Sequence, residues 1–281
     1  MLPRFGYLRP ATLGETTRAL DDYAGEARIL AGGTDLLISM KDGVSNPKYL
    51  IDIKHLPELR RLELAADSSL TIGACVTVNE LLVFAPLPSG MAALREAASW
   101  LGTNQVRNRA TVGGNLCNAS PASDLAPPLL VLGASVRALS ARGERVIPLK
   151  DFITCPKGTC LLKHELAVEI VVPAAEGTVS GFAKRTRIRG HDLSVVNAAA
   201  ALRGGRKAPY LKIGLGAVAP TPLLIDAFDG IDPGDEAGIM KVISAAIAPI
   251  DDVRGSGFYR RSMVRVLVGD LVRRLGEAGS K

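Results

Sequence analysis

The sequence predicts an α+β protein of two domains, and three observations carry that reading. Near the N-terminus a short apolar strand runs through Gly32-Gly33 into a helix. The middle of the chain alternates strand-like and helical segments, and beyond residue 177 three strand-like runs precede two helical ones. With 281 residues, 47% of them hydrophobic and 22% charged, the chain has enough apolar surface for two cores.

Residues 5–10 read as an extended lead-in. Thr12-Leu-Gly-Glu15 has capping-box spacing, in which a hydroxyl and a carboxylate satisfy free N–H groups at a helix start; the helix it opens buries Leu13, Leu20 and Tyr23. A strand over 28–31 ends at Gly32-Gly33, and Thr34-Asp35 can start a helix over 36–41 whose N-terminal dipole would face an anion. Short buried strands follow over 49–53 and 70–74, and Thr77-Val-Asn-Glu80 repeats the capping-box spacing before Leu81-Leu82. Met91, Leu94, Ala97, Ala98 and Leu101 recur at helical spacing, giving an amphipathic helix that leads into a polar stretch over 104–109 and then a second glycine loop. An apolar segment over 125–132 closes at Gly133, residues 136–140 and 145–147 form a hairpin around Ala141-Arg-Gly-Glu144, and a further strand covers 166–172. The composition shifts at Pro173-Ala-Ala-Glu-Gly177, the expected domain boundary. Strand-like runs then cover 181–186, 195–202 and 211–217, and helices cover about 236–248 and 258–275.

The two glycine segments carry the most chemistry. Leu30-Ala31-Gly32-Gly33-Thr34-Asp35 and Thr111-Val112-Gly113-Gly114-Asn115 each set adjacent glycines beside a small hydroxyl residue, so each can offer bare backbone N–H groups to phosphate oxygens. Two such segments suggest one diphosphate held from both sides. A Rossmann dinucleotide site is not indicated, because no Gly-x-Gly-x-x-Gly opens a helix after a strand. Gly214-Leu-Gly216-Ala-Val-Ala219 follows a strand but runs into Pro220-Thr-Pro222, which cannot open the required helix.

Other classes lack a starting residue. There is no nucleophile elbow and no P-loop lysine motif. His55, His164 and His191 stand far apart, and among the four cysteines only Cys155 and Cys160 are close, so this chain is not expected to build a zinc or iron–sulfur site. Aromatics at 4% are too few for nucleic-acid stacking surfaces. The formal charge of +6 is spread along the chain, densest over 184–189; it fits a generic basic surface or attraction for an anionic ligand or acidic partner. No signal-peptide core and no membrane-spanning segment is visible, so a cytoplasmic protein is expected. Asp124 reads as a helix N-cap or as a carboxylate accepting from ligand hydroxyls, and Cys117 as a buried small apolar residue or a contact at a cofactor's edge.

Four segments together resemble a known family: Ala31-Gly-Gly-Thr-Asp-Leu36, Gln105-Val-Arg-Asn-Arg-Ala-Thr-Val-Gly-Gly-Asn115, the Asn118-x-Ser-Pro-x-x-Asp124 tail, and Asp251-Asp-Val-Arg-Gly-Ser-Gly-Phe-Tyr-Arg260. In order and spacing they are similar to the FAD-binding medium subunit of molybdenum hydroxylases, the group of xanthine dehydrogenase FAD subunits and aerobic carbon monoxide dehydrogenase medium chains. The resemblance implies an FAD-binding domain of the vanillyl-alcohol-oxidase (PCMH) type over residues 1–175, built of two α/β subdomains. A C-terminal α+β domain over 176–281 would carry a three-stranded antiparallel sheet with helices. It implies that Leu30, Ala31, Gly32, Gly33, Thr34, Asp35, Leu36, Thr111, Val112, Gly113, Gly114 and Asn115 wrap the FAD diphosphate and ribityl chain. Cys117 and Asp124 would touch the cofactor, with Lys184 and the backbone around Leu166 near the flavin end, where a cation favours the anionic reduced flavin. Some relatives cover the ring with an aromatic residue where this chain has His191-Asp192-Leu193, which implies an aliphatic or more open face, and the cysteine insertion of benzoyl-CoA-type relatives is not visible.

By the same resemblance, a large subunit hydroxylates substrate at a molybdenum cofactor and a small subunit relays electrons through two 2Fe-2S clusters. This subunit would collect them on FAD, within a dimer of heterotrimers. A stand-alone FAD-dependent oxidoreductase of the same fold and a non-catalytic dinucleotide-binding module are the alternatives.

Overall fold

The computed structural model describes residues 2–188, 192–204 and 210–278. It opens with β1 (Gly6–Leu8), α1 (Leu13–Asp22), β2 (Ala27–Leu30), α2 (Leu36–Lys41) and β3 (Tyr49–Asp52). The strands form a parallel sheet in the order β1-β3-β2, and parallel neighbours need crossovers, which the two helices supply. The Thr12 hydroxyl caps α1 by accepting from the N–H of Glu15 at 3.1 Å, while the Glu15 carboxylate reaches back to the N–H of Ala11 rather than that of Thr12. Leu20 packs with Ile51, Ile53, Leu56 and Leu59 to close this small core.

A second unit contains β4 (Leu62–Leu64), β5 (Leu70–Gly73), α3 (Val78–Val83), α4 (Ala92–Trp100), α5 (Asn104–Arg107), α6 (Val112–Cys117), α7 (Ala126–Val131), β6 (Ser135–Ser140), β7 (Gly143–Pro148), α8 (Leu149–Phe152), β8 (Ile153–Cys155), β9 (Gly158–Thr159) and β10 (Leu166–Val172). Its antiparallel sheet has the order β4-β5-β10-β6-β7. Ile72 and Ile170 from the sheet, Leu94 and Ala97 from α4, Val112 and Leu116 from α6, and Leu129 from α7 meet in one buried cluster. At α3 the capping box is complete: the N–H of Glu80 donates to the Thr77 hydroxyl at 3.2 Å and the N–H of Thr77 donates to the Glu80 carboxylate at 2.7 Å.

The remainder holds β11 (Thr178–Arg185), β12 (Val196–Arg203), β13 (Tyr210–Gly216), β14 (Leu223–Ile225), α9 (Glu236–Ala246) and α10 (Gly257–Ala278). Its antiparallel sheet has the order β11-β12-β13-β14, the three expected strands with a short fourth at the edge. Both faces of β12 are covered. Ala198 and Ala200 pack toward Val264, Val268 and Leu271 of α10, whereas Ala199 and Ala201 join the cluster of the second unit. Alternate residues of a strand face opposite sides, so alanines on both let helices approach closely from each. The expected boundary over 173–177 falls between β10 and β11.

Candidate cofactor-binding site

The first glycine segment lies where β2 ends and α2 begins. Gly33 has φ +76°, the left-handed region that L side chains rarely adopt, and there it turns the chain. Among the described residues, the N–H groups of Gly32, Gly33, Thr34 and Asp35 have no protein acceptor. These donors, on three half-buried residues and the exposed Asp35, are the bare amides expected of an anion-binding turn.

The second segment is built differently. It is the start of α6, with Thr111 as its cap: the hydroxyl accepts from the N–H of Gly114 at 3.0 Å. The N–H of Val112 donates to Val76 O at 2.9 Å, that of Gly113 to Ala74 O at 3.2 Å, and that of Asn115 to Thr111 O at 2.9 Å. Every amide from 112 to 115 is therefore paired, which corrects the expectation that both segments present bare N–H groups. Gly113 serves packing, since a Cβ there would lie 2.6 Å from the Cβ of Ala74.

The two segments meet. A Cβ on Gly32 would lie 2.1 Å from the carbonyl oxygen of Arg109, so only glycine allows this approach of backbones. The Asn118 amide donates to the Asp35 carboxylate at 2.9 Å, and Lys157 donates to Asn118 at 3.0 Å. Beside this junction opens a cleft of about 700 Å³, within the range of cofactor pockets, lined by Gly32, Thr111, Lys54, Arg60, Asn79 and Arg109 among others.

The cations of the cleft differ in their commitments. Lys54 is held by Asp52 at 2.7 Å and Arg60 by Glu80, but the Arg109 guanidinium has no ion pair or hydrogen bond among the described residues. Asn79 donates to Asn108 at 2.6 Å and Asn104 at 2.8 Å and accepts from Arg107 at 3.1 Å, fixing the floor between α3 and α5. Burial pushes the Cys75 thiol up to about 12, so this lining residue is a neutral donor toward Ile53 O and no nucleophile. Arg109 and Asn79 were not singled out from sequence. Arg109 lies within the second resembling segment, two residues before Thr111, a usable signal, but the Asn79 position only announced a helix start.

Asp124 and Lys184 form a separate buried cluster. Lys184 Nζ donates to Asp124 Oδ2 at 2.6 Å, with side chains only 1% and 8% exposed. The other oxygen, Oδ1, accepts from Ser194 Oγ at 2.7 Å and Asn197 Nδ2 at 2.9 Å, and Lys184 also donates to the Trp100 carbonyl at 3.4 Å. Asp124 is therefore not the cap of α7. The cap position is Leu125, which has no side-chain cap bond, while the Ser123 hydroxyl accepts from the N–H of Ala126 at 3.1 Å and donates to Asn115 at 2.6 Å, linking this cluster to the second glycine segment.

The other expected contacts are dispersed. Leu166, the first residue of β10, is buried in the core, so only its backbone could reach a ligand, and Cys117 ends α6 as an exposed residue whose thiol is nonetheless pushed up to about 12 by desolvation. Leu193 is an exposed aliphatic residue, whereas His191 lies outside the described residues. Gly214 lies within β13 and Gly216 ends it, as expected of a false fingerprint. His55 bonds Pro10 O at 2.8 Å, a structural role. Among the described residues no cluster of His, Cys, Asp and Glu could hold a metal ion, and no helix is long and apolar enough to cross a membrane.

Comparison with known proteins agrees along the whole chain. The family described as "FAD binding domain in molybdopterin dehydrogenase" matches residues 3–175, and that described as "CO dehydrogenase flavoprotein C-terminal domain" matches residues 182–275. The carbon monoxide dehydrogenase medium chain of Hydrogenophaga pseudoflava is 32% identical over 274 residues, covering 95% of each chain. The xanthine dehydrogenase FAD-binding subunit of Escherichia coli O157:H7 is 35% identical over 220 residues, covering 77% of this chain and 75% of that one. A solved structure of the Hydrogenophaga pseudoflava carbon monoxide dehydrogenase, in a form lacking the Mo-pyranopterin moiety of its molybdenum cofactor, superposes with a TM-score of 0.93 over 99% of both chains at 31% identity.

Proposed function

Because this chain belongs to the FAD-binding family of molybdopterin dehydrogenases and is an oxidoreductase subunit, we propose that it is the electron-collecting flavin subunit of a cytoplasmic molybdenum hydroxylase complex. It takes electrons from the 2Fe-2S clusters of a small subunit and delivers them to an external acceptor. A large subunit hydroxylates substrate at its molybdenum cofactor, and the three subunit types assemble as a dimer of heterotrimers. The subunits named in its relatives, and the molybdenum cofactor named with the solved structure, support this division of labour. We assign residues 1–175 to the FAD-binding domain and 176–281 to the C-terminal domain, in keeping with the two matched spans.

The observation that carries the reading is the set of unpaired amides at Gly32, Gly33, Thr34 and Asp35 beside the uncommitted Arg109 guanidinium. A turn of bare donors whose Gly32 lines the same cleft as a cation suits a diphosphate. Leu30, Ala31 and Leu36 frame the turn, while Thr111, Val112, Gly113, Gly114 and Asn115 supply the packed wall behind it. Asp124, Lys184, Cys117 and the backbone at Leu166 are assigned to the ribityl and flavin end. When bound, FAD supplies a carrier that accepts electrons singly and releases them as a pair.

Affinity purification from the native host, with metal analysis and subunit identification by mass spectrometry, tests the assignment. The complex should contain iron and molybdenum in two companion chains, and the separated 281-residue chain should carry flavin with neither metal. Purification as a lone flavoprotein that oxidises an organic substrate would replace this reading with a stand-alone oxidoreductase.

A further inference from the structure

The segment Asp251–Arg260 belongs to the resemblance but, among the described residues, makes no hydrogen bond or ion pair with the assigned cofactor residues. Its last member, Arg260 of α10, is 1% exposed. Its Nη1 donates to Val195 O at 2.7 Å and Ala217 O at 2.8 Å, and its Nη2 donates to Asp252 Oδ1 at 2.7 Å. A guanidinium in the core serves three acceptors on three segments, a task suited to its planar fork and not to the single point charge of lysine.

The Val195 carbonyl adjoins a residue bonded to Asp124, and the Ala217 carbonyl belongs to a residue bonded to the main chain just before it. Val195 follows Ser194, whose hydroxyl donates to Asp124 Oδ1 at 2.7 Å, and precedes by two residues Asn197, whose amide donates to the same oxygen at 2.9 Å and to Ser123 O at 3.0 Å. Ala217 has φ +63°, a strained conformation for an L residue, and its N–H donates to Pro121 O at 2.7 Å, three residues before Asp124. Arg260 thus pins the backbone beside Ser194 and Asn197, which hold the Asp124 carboxylate, and at Ala217, which holds the main chain leading to Asp124.

We propose that Arg260 is a positioning residue for the cofactor site, fixing through Val195 and Ala217 the orientation of the Asp124 carboxylate and hence of its partner Lys184. Asp252 orients Arg260 in turn, so the C-terminal helix is coupled to the flavin end across the domain boundary. The inference rests on the reading that Asp124 belongs to the FAD site.

A double-mutant cycle on the full chain tests it, with the FAD dissociation constant and the flavin midpoint potential as readouts. Arg260→Lys should weaken FAD binding by about tenfold and shift the potential, within the range for residues of one hydrogen-bonded network. In an Asp124→Asn background the same substitution should add little, because its effect travels through that carboxylate. Additive effects of Arg260→Lys and Asp124→Asn, or an unchanged potential in Arg260→Lys, would overturn the proposal while leaving the flavin assignment intact. A wild-type chain that binds no FAD, or an Asp124→Asn chain with unaltered affinity, would instead overturn the reading beneath it. Should Arg260→Lys not fold, Asp252→Asn, which leaves both carbonyl contacts in place, should show the same non-additivity in weaker form, and its additivity would count equally against the proposal.

Discussion

Asp252 receives two guanidinium groups, Arg254 at 2.7 Å and Arg260 at 2.7 Å. Partial burial pushes its carboxyl up, but hydrogen bonds from the Arg254 side chain and backbone, with the charges of Arg254 and Arg260, outweigh this and hold it down to about 2. A folded-state value below the ordinary aspartate value of about 4 stabilises the fold fully above that pH, and the contribution is lost as pH falls through about 2. Asp252→Asn should therefore lower the melting temperature at neutral pH, and the gap from wild type should narrow as pH drops from about 4 toward 2. A gap constant over that range would show that the ionised carboxylate is not what the substitution removes. This contact was not legible in sequence, since Arg260 binds carbonyls 65 and 43 residues away. Asp124 misled for the same reason: its cap reading used its neighbours, while its real partners lie 60, 70 and 73 residues off. Gly33 was legible because the demand for a left-handed turn between a strand and a helix is local.

The elements divide the same way. Helices α1 and α3 announced themselves by hydroxyl-to-glutamate spacing, and β12 by a mostly apolar run, because these patterns are read within a few residues. Helix α6 did not, since two glycines among six residues argue against a helix by propensity. It forms because Thr111 caps it and because glycine alone lets it lie against Ala74. Thr111→Ala should cost about 1 kcal/mol in chemical denaturation through loss of the cap, and weaken flavin retention by loosening the wall of the cleft. Thr111→Ser should restore both. Full stability in Thr111→Ala would mean that packing on Ala74 suffices and that the cap is incidental.

At the scale of the molecule, two kinds of buried construction among those described join the C-terminal sheet to the rest. One is apolar, the alanine faces of β12 between α10 and the helices of the second unit; the other is the Asp124–Lys184 pair with Ser194 and Asn197. A buried ion pair stabilises little relative to apolar packing but is costly to break, which makes it a device for fixing geometry. The α+β class and the run of strands before helices were visible in the pattern of apolar residues. The pairing across the boundary was not, because it depends on which strand faces which helix.

The proposed site places FAD at the junction of Gly32 and Thr111. Denaturing the purified full chain and identifying and quantifying the released flavin by mass tests it most directly. FAD should be recovered at about one per chain, as one diphosphate turn and one cleft require; recovery of FMN, or of no flavin from chain supplied with FAD, would contradict it.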